Sequence, residues 1–220
     1  MIREEFLDNN IKVYQDDELY TFTSDSILLS KFAIVKKGDV VADFCAGSGV
    51  VGLNLLALNT SLIKSINFFE MQTPLFNLCK KSIEENGLSE SCVAVNTKLQ
   101  DIDKSYNEKF SLIVCNPPYM KVGHGDSNQL EQKAVCKSEI TLSLQELCAS
   151  FNRCLKFGGR VCLVHRADRL VEVITELKNN NIEPKKLQLV CSGDKDPYLF
   201  MLEGVKGGKS GIKILNSIKN

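Results

Sequence analysis

The stretch Asp43-Phe44-Cys45-Ala46-Gly47-Ser48-Gly49 constrains the fold more than any other part of this 220-residue chain. It follows the strand candidate Val40-Val41-Ala42-Asp43 and leads straight into the apolar run Val50 to Leu58. A β-branched run that stops, turns on glycines and becomes a helix is the opening unit of an α/β protein. Glycine lets a backbone approach a ligand without a Cβ in the way, and a helix N-terminus favours an electron-rich group. Read alone, Gly47-Ser48-Gly49-Val50-Val51-Gly52 matches the dinucleotide pattern G-x-G-x-x-G, with Glu70 at about the ~20-residue distance of a ribose-binding acid. A bound NAD and a tight turn with no ligand are both open on this feature alone.

The alternation continues along the chain. Asn67 to Glu70, Val93 to Val95, Ser111 to Cys115 and Arg160 to His165 read as strands. Between them, Leu75, Leu78, Cys79 and Ile83 share one helical face, as do Ile140, Leu144, Leu147, Cys148, Phe151 and Leu155. Gly158-Gly159 is expected to end that second segment. Leu170, Val173, Ile174 and Leu177 form a further helix, and Leu187–Cys191 and Tyr198–Leu202 close the pattern as strands. Such alternation predicts a mainly parallel sheet with helices on both faces. Two final strands with no helical pattern between them predict an antiparallel hairpin at the sheet edge. No Pro/Ser-rich linker divides the chain, so residues 1–220 are expected as a single domain. Within it, 1–38 is a lead-in to the first core strand, 120–139 a polar and poorly periodic loop, and 204–220 a basic tail.

Composition narrows the function classes. Lys+Arg and Asp+Glu both total 27, so no net field draws the chain to nucleic acid or a membrane, and any RNA must be held by a local patch. No run approaches the ~18 apolar residues of a membrane helix, and the first twenty residues are acidic and polar, unlike a secretory signal. The nine cysteines are dispersed and never form CxxC, which predicts reduced, buried small hydrophobes in a cytoplasmic protein. With only His124 and His165 to help them, no metal site is expected. His165 reads as a core or rim histidine and His124 as a loop residue.

Asp43 bears on the choice of ligand. A carboxylate at the strand end would repel a pyrophosphate at the helix N-terminus, whereas S-adenosylmethionine has no phosphate and carries cationic ends. Glu70 could then accept from both ribose hydroxyls, and Asp101, just past the third strand, from the adenine amino group. Each acid alone could be a solvated loop residue. Three at successive strand ends lie on the rim where open α/β sheets bind ligands. Asn116-Pro117-Pro118-Tyr119 is the sharpest signal. Pro117 stops the strand at Asn116 and restricts it to extended backbone. The Asn116 side-chain oxygen and Pro117 carbonyl then form a pair of acceptors for a planar amine, with Tyr119 placed to stack on a flat substrate.

These motifs resemble the tRNA1(Val) adenine-37 N6-methyltransferase family. Thr23-Ser24-Asp25-Ser26-Ile27-Leu28-Leu29 looks like its T/S-D-A-x-L-L element. Asp43–Gly49 and Cys115-Asn116-Pro117-Pro118-Tyr119 look like its central motifs. Leu163-Val164-His165-Arg166 and Glu203-Gly204-Val205-Lys206-Gly207-Gly208-Lys209 resemble its LVHR and EG-KGGK segments. The resemblance implies a Rossmann-like class I methyltransferase fold with a seven-stranded sheet, and S-adenosyl-L-methionine as cofactor. It implies cofactor contacts from Asp25, Asp43, Cys45, Ala46, Gly47, Gly49, Glu70, Asp101 and Asn116. Asn116, Pro117, Pro118 and Tyr119 would orient a flipped adenine of tRNA, with Lys121, Lys133, Lys137, Lys206, Lys209 and Lys213 expected on the RNA. Where relatives tend to carry Arg-His-Glu, this chain has Lys137-Ser138-Glu139, which keeps the charge without the bidentate fork. A monomer is expected. The rival readings are a protein-glutamine N5-methyltransferase, an rRNA or DNA adenine methyltransferase, and a cofactor- or RNA-binding scaffold without turnover. A protein-glutamine methyltransferase would ordinarily carry a separate substrate domain ahead of the first strand, where the residues are too few, and a DNA adenine methyltransferase a domain-sized target-recognition region, for which none are left over.

Overall fold

A computed structural model describes residues 1–19, 21, 24–118 and 142–220. Its elements run β1 (Ile2–Phe6), β2 (Lys12–Asp16), α1 (Ser24–Phe32), β3 (Asp39–Phe44), α2 (Val50–Leu58), β4 (Ile63–Glu70), α3 (Thr73–Glu85), β5 (Cys92–Asn96) and β6 (Phe110–Cys115). After these come α4 (Leu144–Cys154), β7 (Leu155–Arg166), α5 (Leu170–Asn179), β8 (Ile182–Cys191), β9 (Pro197–Lys206), β10 (Lys213–Ile214) and β11 (Ile218–Lys219).

The central sheet has the order β10-β8-β9-β7-β6-β3-β4-β5, with β11 also paired to β8. Strands β3 to β7 are mutually parallel, and β9 runs antiparallel to both its neighbours, β7 and β8. The chain thus has the expected Rossmann-like architecture: seven long strands, extended by two short ones. The expected hairpin differs in one respect. Its second strand lies inside the sheet, and the outer strand β8 is covered by β10 and β11 from the tail. Gly158-Gly159 also departs from expectation, for it interrupts β7 rather than preceding it. The register jumps from Phe110↔Leu155 to Leu112↔Arg160, and Gly158 takes φ +74°, which a β-bulge with glycine accommodates.

Period-two alternation in the strands builds two cores. Val41, Leu112 and Val114 point to one face, packed with Leu29 of α1, Leu53 of α2 and Ile83 of α3. Ala42, Ile113 and Cys115 point to the other, against Phe151 of α4 and Val173 and Leu177 of α5. Helix α2 is buried from Val50 to Ala57, which accounts for its apolar character all round. Six of the eight described cysteines are buried within these layers, and all eight are free thiols. Among the described residues, no helix is long and apolar enough to cross a membrane.

The lead-in carries structure that no periodicity announced. Strands β1 and β2 form a separate antiparallel hairpin. It docks on α3 through backbone N–H groups of Tyr14 and Lys12, which donate to Ser82 Oγ and Asn86 Oδ1 at 3.0 Å each. At the opposite end of the sheet from the glycine turn, Arg160 pairs with Asp39 at 2.7 Å, both side chains being buried. Ser111 Oγ donates to the other oxygen of Asp39 at 2.7 Å, so the starts of β3 and β6 and the middle of β7, just past its glycine bulge, share one polar lock.

Candidate active site

The strand β3 must stop at Phe44 because the next residues wind through left-handed backbone. Cys45 has φ +58°, Gly47 +56° and Gly49 +90°. At Gly47 an added Cβ would meet nothing within 4 Å, so this turn faces open space. At Gly49 and Gly52 the reason for glycine is packing. A Cβ on Gly49 would come within 2.8 Å of Cys79 Sγ, and one on Gly52 within 2.4 Å of the Phe68 ring. The third glycine of the G-x-G-x-x-G pattern therefore lets α2 lie against β4.

Two carboxylates occupy the N–H groups of this turn. Asp43 Oδ2 accepts from Gly52 N at 2.8 Å, and Glu70 Oε2 accepts from Gly47 N at 2.9 Å. Glu70 Oε1 accepts from Gln72 N at 2.8 Å. The end of β4 is itself held by Asn96 of β5, whose Nδ2 donates to the carbonyl of Glu70 at 2.8 Å. Burial pushes the Asp43 carboxyl up to about 7, opposed by the Gly52 N–H and reinforced by the charge of Glu70. Burial raises Glu70 as well, against the N–H groups of Gln72 and Gly47. Asp43 Oδ1 is buried and has no hydrogen-bond partner among the described residues.

This donor and acceptor set selects among ligands. A pyrophosphate needs free N–H groups at the helix N-terminus, and here acids already hold those of Gly47 and Gly52. A cation-bearing ligand meets the opposite situation: a buried carboxylate oxygen still without a partner. Glu70 accepts backbone N–H groups on both oxygens, and a carboxylate has about four lone-pair sites from which to take a diol as well. The residues present fit S-adenosylmethionine and not a dinucleotide.

A residue outside the sequence motifs closes the turn. Gln15 of β2 is buried and donates through Nε2 to the Ser48 hydroxyl, which is buried too. The only sequence hint was a polar side chain within the stretch Val13-Tyr14-Gln15. Helix α1 brings Asp25 and Ser26 to the same region, both buried in its first turn. Asn116, immediately after β6, donates from Nδ2 to Ser26 Oγ at 3.1 Å. Its strand neighbours are in register, with Cys115 opposite Phe44 on one side and Leu163 on the other. Pro117 is buried and Pro118 exposed.

The remaining predicted positions divide. Cys45 is half-buried, and Ala46 is buried with its N–H on the Phe69 carbonyl at 3.0 Å. Asp101 ends the short helical turn Leu99–Asp101 with its side chain exposed, outside the hydrogen-bonded group of Asp43, Glu70 and the glycine turn. Tyr119, His124, Lys121, Lys133 and Lys137 lie outside the described residues. Lys206 is a correction. It is buried, donating to the carbonyls of Asn152 at 2.8 Å and Leu155 at 2.9 Å and pairing with Glu108 at 3.2 Å. It caps the carbonyls at the C-terminus of α4, so its ammonium is engaged within the fold rather than presented on an open surface. Lys209 and Lys213 are exposed, with β10 five strand positions from β3, roughly 24 Å at the usual strand spacing. His165 is buried, stacks on Phe200 and accepts the Arg166 N–H on Nδ1 at 2.9 Å. Burial lowers it to about 4, which keeps it neutral and structural.

The sequence profile of the methyltransferase small domain matches residues 11–179. The chain belongs to that family. The matched span starts just before β2 and ends with α5, so it takes in the glycine turn, Glu70 and Asn116. Among curated relatives, the tRNA1(Val) (adenine(37)-N6)-methyltransferase of Shewanella putrefaciens is 28% identical over 144 residues, 64% of this chain and 58% of that protein. The chain thus spans less than two thirds of that relative's length. The protein of the same name from Shewanella sp. strain MR-4 is 23% identical over 193 residues and 80% of both chains. Among solved structures, P. horikoshii TYW2 in complex with MeSAdo superposes with a TM-score of 0.65 at 13% identity, covering 94% of this chain and 72% of that one. That likeness is one of fold.

Proposed function

We propose that the chain transfers a methyl group from S-adenosylmethionine to the exocyclic N6 of an adenine in tRNA, at position 37 of a valine tRNA. The observation that carries this reading is Asn116. It stands at the end of the strand next to β3, whose own end leads into the two-carboxylate turn, and its amide nitrogen donates to Ser26 Oγ. The named relatives support adenine and tRNA as the target.

The cofactor, when bound, supplies an electrophilic methyl on a sulfonium centre. Asp43 and the glycine turn would hold its cationic end, and Glu70 would accept from its ribose hydroxyls. Asn116 Oδ1 and the Pro117 carbonyl each accept one N–H of the target amine, which turns the nitrogen lone pair away from the ring plane and toward the methyl. Proximity and exclusion of water carry most of the barrier reduction. The N–C bond forms as the sulfonium S–C bond breaks and leaves a neutral thioether; the N6 proton, acidic only then, passes to water without a strong base. The target base must leave its stack, which an anticodon-loop purine does at low cost.

On this reading the chain works as a single-domain cytoplasmic monomer. The lead-in 1–38 forms part of the cofactor rim. Phosphate contacts come from Lys121, Lys133 and Lys137 of the loop and from Lys209 and Lys213 of the tail. The test is tritium transfer from labelled S-adenosylmethionine to total tRNA, total rRNA and a protein extract in parallel, with wild-type and Asn116→Ala protein. N6-methyladenosine in the tRNA fraction alone, lost in Asn116→Ala with cofactor binding intact, is the expected result. Label in protein moves the reading to glutamine, and label nowhere, despite cofactor binding, moves it to a scaffold.

A further inference from the structure

The proposed chemistry requires Asn116 to present its oxygen, not its nitrogen, to an incoming amine. Two separate constraints are needed for that. Pro117 restricts the backbone of the residue before it. It does not fix the terminal amide torsion of asparagine, which is broad and roughly two-fold. A flipped amide would aim two donors at the two donors of the target nitrogen.

We infer that Ser26 is the positioning residue that sets this orientation. Its Oγ accepts from Asn116 Nδ2 at 3.1 Å, and Ser26 is only 4% exposed. With the nitrogen engaged there, Oδ1 points the other way within the amide plane. The hydroxyl is itself mounted on a braced helix. In α1, Ser30 Oγ donates to the Ile27 carbonyl at 2.7 Å and accepts from Asn54 Nδ2 of α2 at 2.8 Å. Just beyond α1, Arg160 of β7 donates to the Ile34 carbonyl. Ser26 is thus held from α2 and β7, and among the described residues it meets the proposed site through Asn116. The inference rests on the methyl-transfer reading of Asn116 given above.

The test compares wild type, Ser26→Ala, Asn116→Ala and the double variant. It measures single-turnover methyl transfer to total tRNA and calorimetric affinity for S-adenosylmethionine. Ser26→Ala should slow transfer about tenfold, the equivalent of one hydrogen bond of about 1.4 kcal/mol, while cofactor affinity stays within twofold. Ser26→Thr, which keeps the hydroxyl, should recover most of the rate. In the Asn116→Ala background the second substitution should change the residual rate no further. An unchanged rate in Ser26→Ala, a parallel loss of cofactor affinity, or an additive loss in the double variant overturns the positioning role. Wild-type rate in Asn116→Ala instead overturns the reading of the site itself. A readout independent of turnover is the side-chain NH2 signal of Asn116 in 15N NMR, identified by its loss in Asn116→Ala. It should shift in Ser26→Ala, and an unmoved signal overturns the contact.

Discussion

Raising the pH through neutrality should weaken the ligand-free protein by way of one residue, Asp43. Its carboxyl goes from 3.8 to about 7 on folding, because burial disfavours the charge. A carboxyl whose pKa is higher in the folded than in the unfolded state stabilises the fold when protonated. That contribution is complete below about pH 4 and disappears as pH climbs through about 7. At 1.36 kcal/mol per unit the shift amounts to about 4 kcal/mol in all, of which about 3 falls between pH 5 and pH 8. The assay is urea unfolding of wild type and Asp43→Asn across that range. Asparagine keeps an oxygen for the Gly52 N–H, so the turn retains its hydrogen bond. His165, lowered by burial, titrates in both proteins and cancels in the comparison, and Glu70, raised chiefly by burial, cancels apart from its smaller interaction with Asp43. Wild type should therefore lose about 3 kcal/mol more than the variant between pH 5 and pH 8. A cationic cofactor selects the ionised form, so wild-type affinity should also tighten about tenfold from pH 6 to pH 8 and the variant's should not. Equal slopes in the two proteins would refute the reasoning, since Asp43 would then titrate as it does in the unfolded chain.

Two further outcomes follow from the same geometry. Glu70→Gln leaves one of two N–H groups, Gly47 or Gln72, without its carboxylate partner and removes a charged acceptor for the ribose. Cofactor affinity measured by calorimetry should fall about 10- to 100-fold, for charged hydrogen bonds of about 1.5–3 kcal/mol. Arg160→Ala strands the buried Asp39 carboxylate without its cation. Urea unfolding should show a loss of about 3–5 kcal/mol, with cofactor affinity of the folded protein unchanged because Asp39 and Asp43 sit at opposite ends of β3.

What could be read in the sequence was what local chemistry dictates. The glycine turn, the apolar run of α2 and the proline that ends β6 each act on residues beside them in the chain, so their places were legible. Asp43 and Glu70 could be read as a pair because successive parallel strands bring their C-terminal ends together. Contacts made across large sequence separations left no such mark. Gln15 reaches Ser48 and Ser26 reaches Asn116 only after the lead-in folds back over the sheet. Lys206 reads as a free cation within a lysine-bearing tail, yet its ammonium satisfies carbonyls of α4. The place of β9 depends on which edge of β7 is free once the other strands have paired, and no period in the sequence records that.

That placement of β9 has a consequence for how the chain is made. Ser26, Asp43, the glycine turn, Glu70 and Asn116 are all present in the nascent polypeptide by Pro118, and β7 by Arg166. Strand β7 then waits with residues 160–166 unpaired along one side until residues 199–205 emerge to fill it. Phe200 and Leu202, both fully buried, arrive with the same segment and complete the core under α4 and α5. An open edge of backbone donors and acceptors is a template for a strand of another molecule. Synthesis from the N-terminus thus leaves the finished cofactor turn dependent on residues 199–205, which are made later. During that interval the protein's worst competitor is a second copy of itself.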